Sequence, residues 1–196
     1  HNLIQNQWSL YLDGEDDWID CGSGFNDIEF PITIVSTIKT YGEGEQFHIF
    51  GTDIVGGPTY SGIWFARTDY GFELGYGDAQ GYGSGSHRRS FFAYYNPEDE
   101  KTIEVIGVIN GSNDMAVYVD GFLLEGTYDG SGGALADTGQ SASIGVYIPN
   151  SGEYIYNEMM VYSLQVYDKF ITSSDAFHFV SDNHQDYIVV DYKIEK

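Results

Sequence analysis

The sequence predicts an all-β protein, an antiparallel β-sandwich. Three observations point there. Apolar and polar residues alternate with a period of two in segment after segment. Gly, Asn and Asp separate those segments, and only one stretch carries a helical pattern. "WIDCG" (18–22) reads as a strand edge that holds Cys21, a small buried side chain. In "ITIVSTIK" (32–39), Ile32, Ile34 and Ile38 share one face, while Thr33, Val35, Thr37 and Lys39 share the other. Short strands are expected at "QFHIFG", "GIWFAR", "GFELGY" and "SFFAYY" (46–51, 62–67, 71–76 and 90–95). Trp64 alternates with Phe65, so one of the two faces the core. "TIEVIGVIN" (102–110) and "MAVYVDG" (115–121) form a hairpin across "NGSND", with Asn110-Gly111 as its turn, because both residues tolerate positive φ. "SIGVYI" (143–148), "MVYSLQVY" (160–167) and "DYIVVDYKI" (186–194) complete about a dozen strands. The one helical stretch is "TSSDAFHFVS" (172–181), where Thr172 and Asp175 resemble a capping box.

Without alternating helices there is no βαβ unit, and hence no Rossmann or P-loop scaffold. No linker or fixed-period repeat divides the chain, so residues 1–196 are expected to form a single domain. The opening at His1, without Met, reads as a processed or excised piece. No apolar run approaches the ~18 residues needed to span a bilayer. Asp and Glu number 30 against 8 Lys and Arg, a formal charge of −22. That charge opposes attraction to nucleic acid or an anionic membrane. The 12 Phe, 17 Tyr and 3 Trp argue against disorder. A single cysteine excludes an internal disulfide.

Three stretches, in order, carry a family resemblance. They are "SLYLDGEDDWIDCG" (9–22) followed by "FPITIVSTIK" (30–39), "NDMAVYVDGFLLEG" (113–126), and "MVYSLQVYDKFITSSD" (160–175), the last preceded by "SASIGVY" (141–147). Together they resemble the laminin-G-like, concanavalin A-like lectin/glucanase superfamily. The resemblance runs from residue 9 to about 175 and implies a jelly-roll sandwich. Residues 176–196 fall outside it, as a C-terminal extension or edge strand.

The resemblance also implies calcium as a cofactor, with Asp16, Asp17 and Glu158 as candidate ligands. Calcium takes several oxygens, commonly carboxylates and backbone carbonyls. The same "DGEDDW" segment reads equally as a turn whose Asp13 and Asp17 side chains bond backbone N–H groups, and "VDG" as a hairpin end built on Asp120. Glucanases of the superfamily place acids at alternate positions of one strand, about 7 Å apart per two residues. Here "FNDIEF" offers Asp27 and Glu29, but Phe25 stands where the first acid is required, and the segment precedes a strand. The chain is therefore read as not an enzyme. No zincin spacing joins His1, His48, His87, His178 and His184, and no nucleophile elbow surrounds the serines.

"GYGDAQGYGSGSHRRS" (75–90) contains two of the three arginines and is taken as a long connection. Gln80 stands where a dinucleotide loop needs its third Gly. Two readings remain. One is a solvent loop with Tyr side chains packed on the sheet edge. The other is a ligand platform, since Tyr offers a flat apolar face with a hydroxyl and Arg offers planar recognition of a carboxylate or sulfate. On the second reading the ligand residues are Tyr76, Tyr82, His87, Arg88 and Arg89, with Trp64 and Arg67 beside them. The expected function is a non-catalytic, lectin-like module that binds a carbohydrate or a glycoprotein surface. Its expected location is extracellular, at a cell surface or on a virion, within a larger protein and beside neighbouring domains or subunits. The alternatives are a structural or protein–protein module and, third, a glycoside hydrolase or lyase.

Overall fold

The computed structural model describes residues 9–41, 47–52, 59–82, 85–96, 100–148 and 152–170. Among these residues there are strands and turns but no helix. No described helix is therefore long and apolar enough to cross a membrane. The expected elements at 172–181 and 186–194 lie outside the described residues.

The strands are β1 (Leu10–Asp13), β2 (Ile19–Gly22), β3 (Ile32–Thr40), β4 (Phe47–Gly51), β5 (Ile63–Thr68), β6 (Gly71–Gly77), β7 (Arg88–Tyr94) and β8 (Thr102–Gly111). They continue with β9 (Asp114–Val119), β10 (Phe122–Leu123), β11 (Gly126–Gly130), β12 (Ala142–Ile144), β13 (Val146–Tyr147), β14 (Ile155–Tyr156) and β15 (Glu158–Tyr167). One sheet runs β1-β15-β3-β8-β9-β10, and the other runs β11-β7-β6-β5-β4-β12-β2. A short β13-β14 ladder lies beside them. All pairings are antiparallel.

The inner faces of the two sheets form the main core. Ile32, Ile34 and Ile38 of β3 face Phe50, Phe65 and Leu74 within one buried cluster. Burial of each such side chain contributes about 1.5–3 kcal/mol. Gly107 on β8 lets the sheets approach closely, since a Cβ there would lie 3.1 Å from Leu74 Cδ1 and 3.2 Å from Phe65 Cε1. The opposite face of β3 is not simply polar. Val35 joins Ile106, Val108, Tyr118 and Tyr167 in a second buried cluster. Both faces of the six-stranded sheet are therefore apolar at its centre.

Two sequence expectations change. The β8–β9 turn is formed by Ser112 and Asn113, and Asn110-Gly111 belongs to the end of β8. A register shift between Ile109 and Gly111 absorbs the pair, and Asn110 Nδ2 donates to Asp114 Oδ2 at 2.6 Å. Residues 75–90 are not one loop either. Gly75–Gly77 finish β6 and Arg88–Ser90 begin β7, leaving 78–87 as the connection. The β9–β10 hairpin, by contrast, turns at Asp120 (φ 49°) and Gly121 (φ 82°), a pair that a two-residue turn of this kind requires.

Candidate functional site

The site grows out of the alternation in β6, "GFELGYG". Phe72, Leu74 and Tyr76 point into the core, so Gly71, Glu73, Gly75 and Gly77 lie on the outer face of the seven-stranded sheet. Three of these four have no side chain, and the neighbours fill the space. The Trp64 indole covers Gly75, where a Cβ would meet Cζ2 at 2.5 Å. The Tyr60 backbone covers Gly77, where a Cβ would meet the Tyr60 carbonyl carbon at 2.1 Å. Paired register puts Trp64, Gly75 and Ser90 on this same face, with Phe65 in the core.

Tyr60 is the hub of the aromatic cluster. Its ring stacks on Tyr82 at 4.6 Å with 21° between the planes, and its centroid lies 6.2 Å from that of Trp64. The Arg88 guanidinium sits over the Tyr60 ring at 5.4 Å. Beneath them the Glu73 carboxylate, 3 % exposed, accepts the Trp64 Nε1–H at 3.1 Å. Arg88 Nη1 lies 3.6 Å from Glu73 Oε1, and Nη2 donates to Asp129 Oδ2 on β11. Burial pushes the Glu73 carboxyl above its ordinary range, against the opposing pull of the Trp64 bond and Arg88. Burial likewise raises the Tyr60 phenol. On β4, His48 stacks on Tyr147 at 4.5 Å, and burial lowers the imidazole to about 4. Burial raises the Tyr147 phenol, with Tyr82, Tyr60 and Glu73 adding to the shift, so Tyr147 belongs to the same electrostatic neighbourhood.

The structure thus gathers Trp64, Tyr82 and Arg88 around Tyr60. It places the other four sequence candidates elsewhere. Arg67 is 5 % exposed, with Nη1 donating to Thr40 Oγ1. Tyr76 is in the core, against Phe30 at 4.9 Å, and its hydroxyl donates to the Gly133 carbonyl at 3.2 Å. His87 Nδ1 pairs with Asp78 at 3.2 Å. Arg89 points to the opposite side of β7 from Arg88. It donates to the carbonyls of Ser112 and Gly130 and to Asn113 Oδ1, and lies over Tyr128 at 4.6 Å. Sequence reasoning missed Tyr60, Glu73, Asp129 and Tyr147. Glu73 had a signal, the one side chain between glycines on an outward parity. Asp129 had none, because its role depends on β11 pairing with β7.

At the β1–β15 end, Asp13, Asp16 and Asp17 bring carboxylate oxygens within 4.8 Å of one another. Asp13 Oδ1 also accepts the backbone N–H of Glu15 at 2.8 Å and of Asp16 at 3.3 Å, and these bonds lower its carboxyl. An all-oxygen set of this kind suits a hard divalent cation. Glu158 is not in the cluster; its Oε1 accepts the Tyr11 hydroxyl at 2.6 Å. Asp27 and Glu29 are exposed on the turn and connection ahead of β3.

The two packed antiparallel sheets form a jelly-roll β-sandwich of the concanavalin A-like type. Solved structures similar to this chain include the CBM40 of the Ruminococcus gnavus IT-sialidase bound to α2,3 sialyllactose. It is 14 % identical with a TM-score of 0.62, over 88 % of this chain and 98 % of that one. A native heptameric SAP-like pentraxin from Limulus polyphemus is 17 % identical with a TM-score of 0.55, over 89 % and 82 %. A NanB sialidase from Streptococcus pneumoniae is 17 % identical with a TM-score of 0.60, over 89 % of this chain but 28 % of that one. At such identities the likeness is one of fold. No family model matches the chain, and no curated protein sequence does.

Proposed function

We propose that this protein is a non-catalytic carbohydrate-binding module whose sugar site is the outer face of the seven-stranded sheet around Tyr60. The observation that carries this reading is the Tyr60–Tyr82–Trp64 cluster, with Arg88 and the buried Glu73 beside it. Aromatic faces receive the C–H side of a pyranose ring, while the phenols, Arg88 and the carboxylates offer donors and acceptors for its hydroxyls. The CBM40 with its bound sialyllactose supports a glycan as the partner class.

Catalysis does not fit the same residues. A hydrolytic pair needs two carboxyl groups facing across an open gap that holds the glycosidic bond. Glu73 and Asp129 are instead bridged by the Arg88 guanidinium. The reading carries an extracellular or surface setting and a calcium ion held by Asp13, Asp16 and Asp17. Calcium would brace the turn between β1 and β2.

The test is a calorimetric titration against a panel of neutral, sialylated, sulfated and uronate glycans, with calcium and with chelator. Binding of at least one glycan, weakened about 30-fold by Trp64→Ala or Tyr60→Ala, is expected from the ~2 kcal/mol scale of aromatic anchors. No glycan bound in either condition would move the reading to a structural module. Release of reducing ends would make the protein an enzyme.

A further inference from the structure

We infer that Asp129 sets the ligand class of this face: it holds one arm of the Arg88 fork while Glu73 faces the other, so the site takes neutral, hydroxyl-presenting glycans and discriminates against carboxylated ones. This rests on the sugar-binding reading above and goes beyond it by naming the class.

The argument is one of charge and donor supply. A carboxylated sugar is best held by the two parallel N–H groups of an arginine fork. Arg88 is the one arginine that the structure brings to Tyr60. Its Nη2 is held by Asp129, its Nη1 faces Glu73 at 3.6 Å, and its Nε is buried without a partner. One cation therefore stands between two carboxylates, and a ligand carboxylate would bring a third negative charge to it. The chain as a whole, at −22, adds no compensating field. A neutral sugar meets none of this opposition. Its hydroxyls can donate to Asp129, whose side chain is 54 % exposed, and accept from the phenols and the remaining guanidinium N–H groups.

Asp129 is also well placed for this task. It lies on the edge strand β11, directly opposite Ser90, and its carboxylate reaches Arg88 two residues along β7. Glu73 is committed to Trp64 and buried, so it cannot move aside for a ligand. Asp129 is the member of the pair that a substitution can remove without opening the core.

The experiment compares matched glycan pairs, lactose with α2,3-sialyllactose and xylan with glucuronoxylan, on the wild type, Asp129→Asn and Asp129→Glu. Circular dichroism confirms that each variant is folded. The wild type is expected to bind a neutral member more tightly than its charged counterpart. Asp129→Asn should raise affinity for the charged member about tenfold, the scale of one like-charge contact at a partly exposed site, and should not raise it for the neutral member, whose hydroxyls lose a carboxylate acceptor. Asp129→Glu should retain the discrimination. Tighter binding of the charged member by the wild type, abolished by Trp64→Ala, would overturn the inference while leaving the sugar-binding reading intact. Unchanged discrimination in Asp129→Asn would also overturn it. Binding of neither member of any pair would remove both readings.

Discussion

Gly77→Ala is the substitution that most directly couples the fold to the site. The new methyl would lie 2.1 Å from the Tyr60 carbonyl carbon, 2.3 Å from its oxygen and 2.4 Å from the Ser61 nitrogen. These are backbone atoms, so no side-chain rotation relieves the clash. The 60–62 segment has to lift off β6. That movement strains the Gly77 N–H to Gly62 bond (2.9 Å) and the Ala79 N–H to Tyr60 bond (2.8 Å). Overpacking costs about 1–3 kcal/mol and each lost hydrogen bond about 1, giving roughly 3–5 kcal/mol in all. For a chain of this size the melting temperature should then fall by roughly 6–20 °C. Urea unfolding with the slope held in common measures the loss, and Gly111→Ala is the control. Gly111 has open space and an ordinary backbone conformation, so its substitution should stay within about 0.5 kcal/mol of wild type. A loss below about 1 kcal/mol for Gly77→Ala would refute the idea that bare backbone at β6 seats the cluster.

Other consequences follow from the same geometry. His48 is buried with its imidazole lowered to about 4, so the unfolded chain takes up a proton near pH 6.5 that the folded chain refuses. Stability should therefore fall by about 3 kcal/mol as the pH drops from 7.5 towards 4, and His48→Gln should flatten that limb of the urea midpoints. Glu73 has the opposite sign, because its raised carboxyl binds a proton more readily in the folded state. Its contribution to stability should decline as the pH rises above the ordinary carboxylate range, and Glu73→Gln should remove that decline while keeping an acceptor for Trp64. Arg89→Ala should lower stability by about 2–3 kcal/mol, because it removes two donor contacts to the β8–β9 turn, at Ser112 and Asn113, and one to Gly130 on β11. It should leave glycan affinity within about twofold, in contrast to Arg88→Ala; equal losses of affinity would refute the assignment of the two arginines to opposite faces.

The strands were legible because each imposes its period on the sequence. β3, β5, β6, β8 and β15 all fall where alternation places them, and the Asp120-Gly121 turn falls where φ must be positive. The Asn110-Gly111 pair misled because its permissive chemistry suits a bulge as well as a turn, and only the opposite strand decides which. The site was half legible. Trp64, Tyr82 and Arg88 stood out by residue type, and so did Arg67 and Tyr76, which are buried, and Arg89, which holds the β8–β9 turn. Residue type cannot separate the two groups without parity, and parity within 75–90 was hidden by reading two strand ends as loop. Asp129 and Tyr60 depend on long-range pairing, which no local pattern encodes.

Arg88 and Arg89 are neighbours on the chain and strangers in the fold. One residue gained or lost inside β7 would exchange their sides, sending the charge over Tyr60 to the β8–β9 turn and the turn's arginine to the outer face. The same residue gained between 78 and 87 would be taken up by the connection. Homologous chains should therefore vary in length before Arg88 and hold their spacing after it. An alignment that slips by one position here would equate the arginine over Tyr60 with the one that holds the β8–β9 turn.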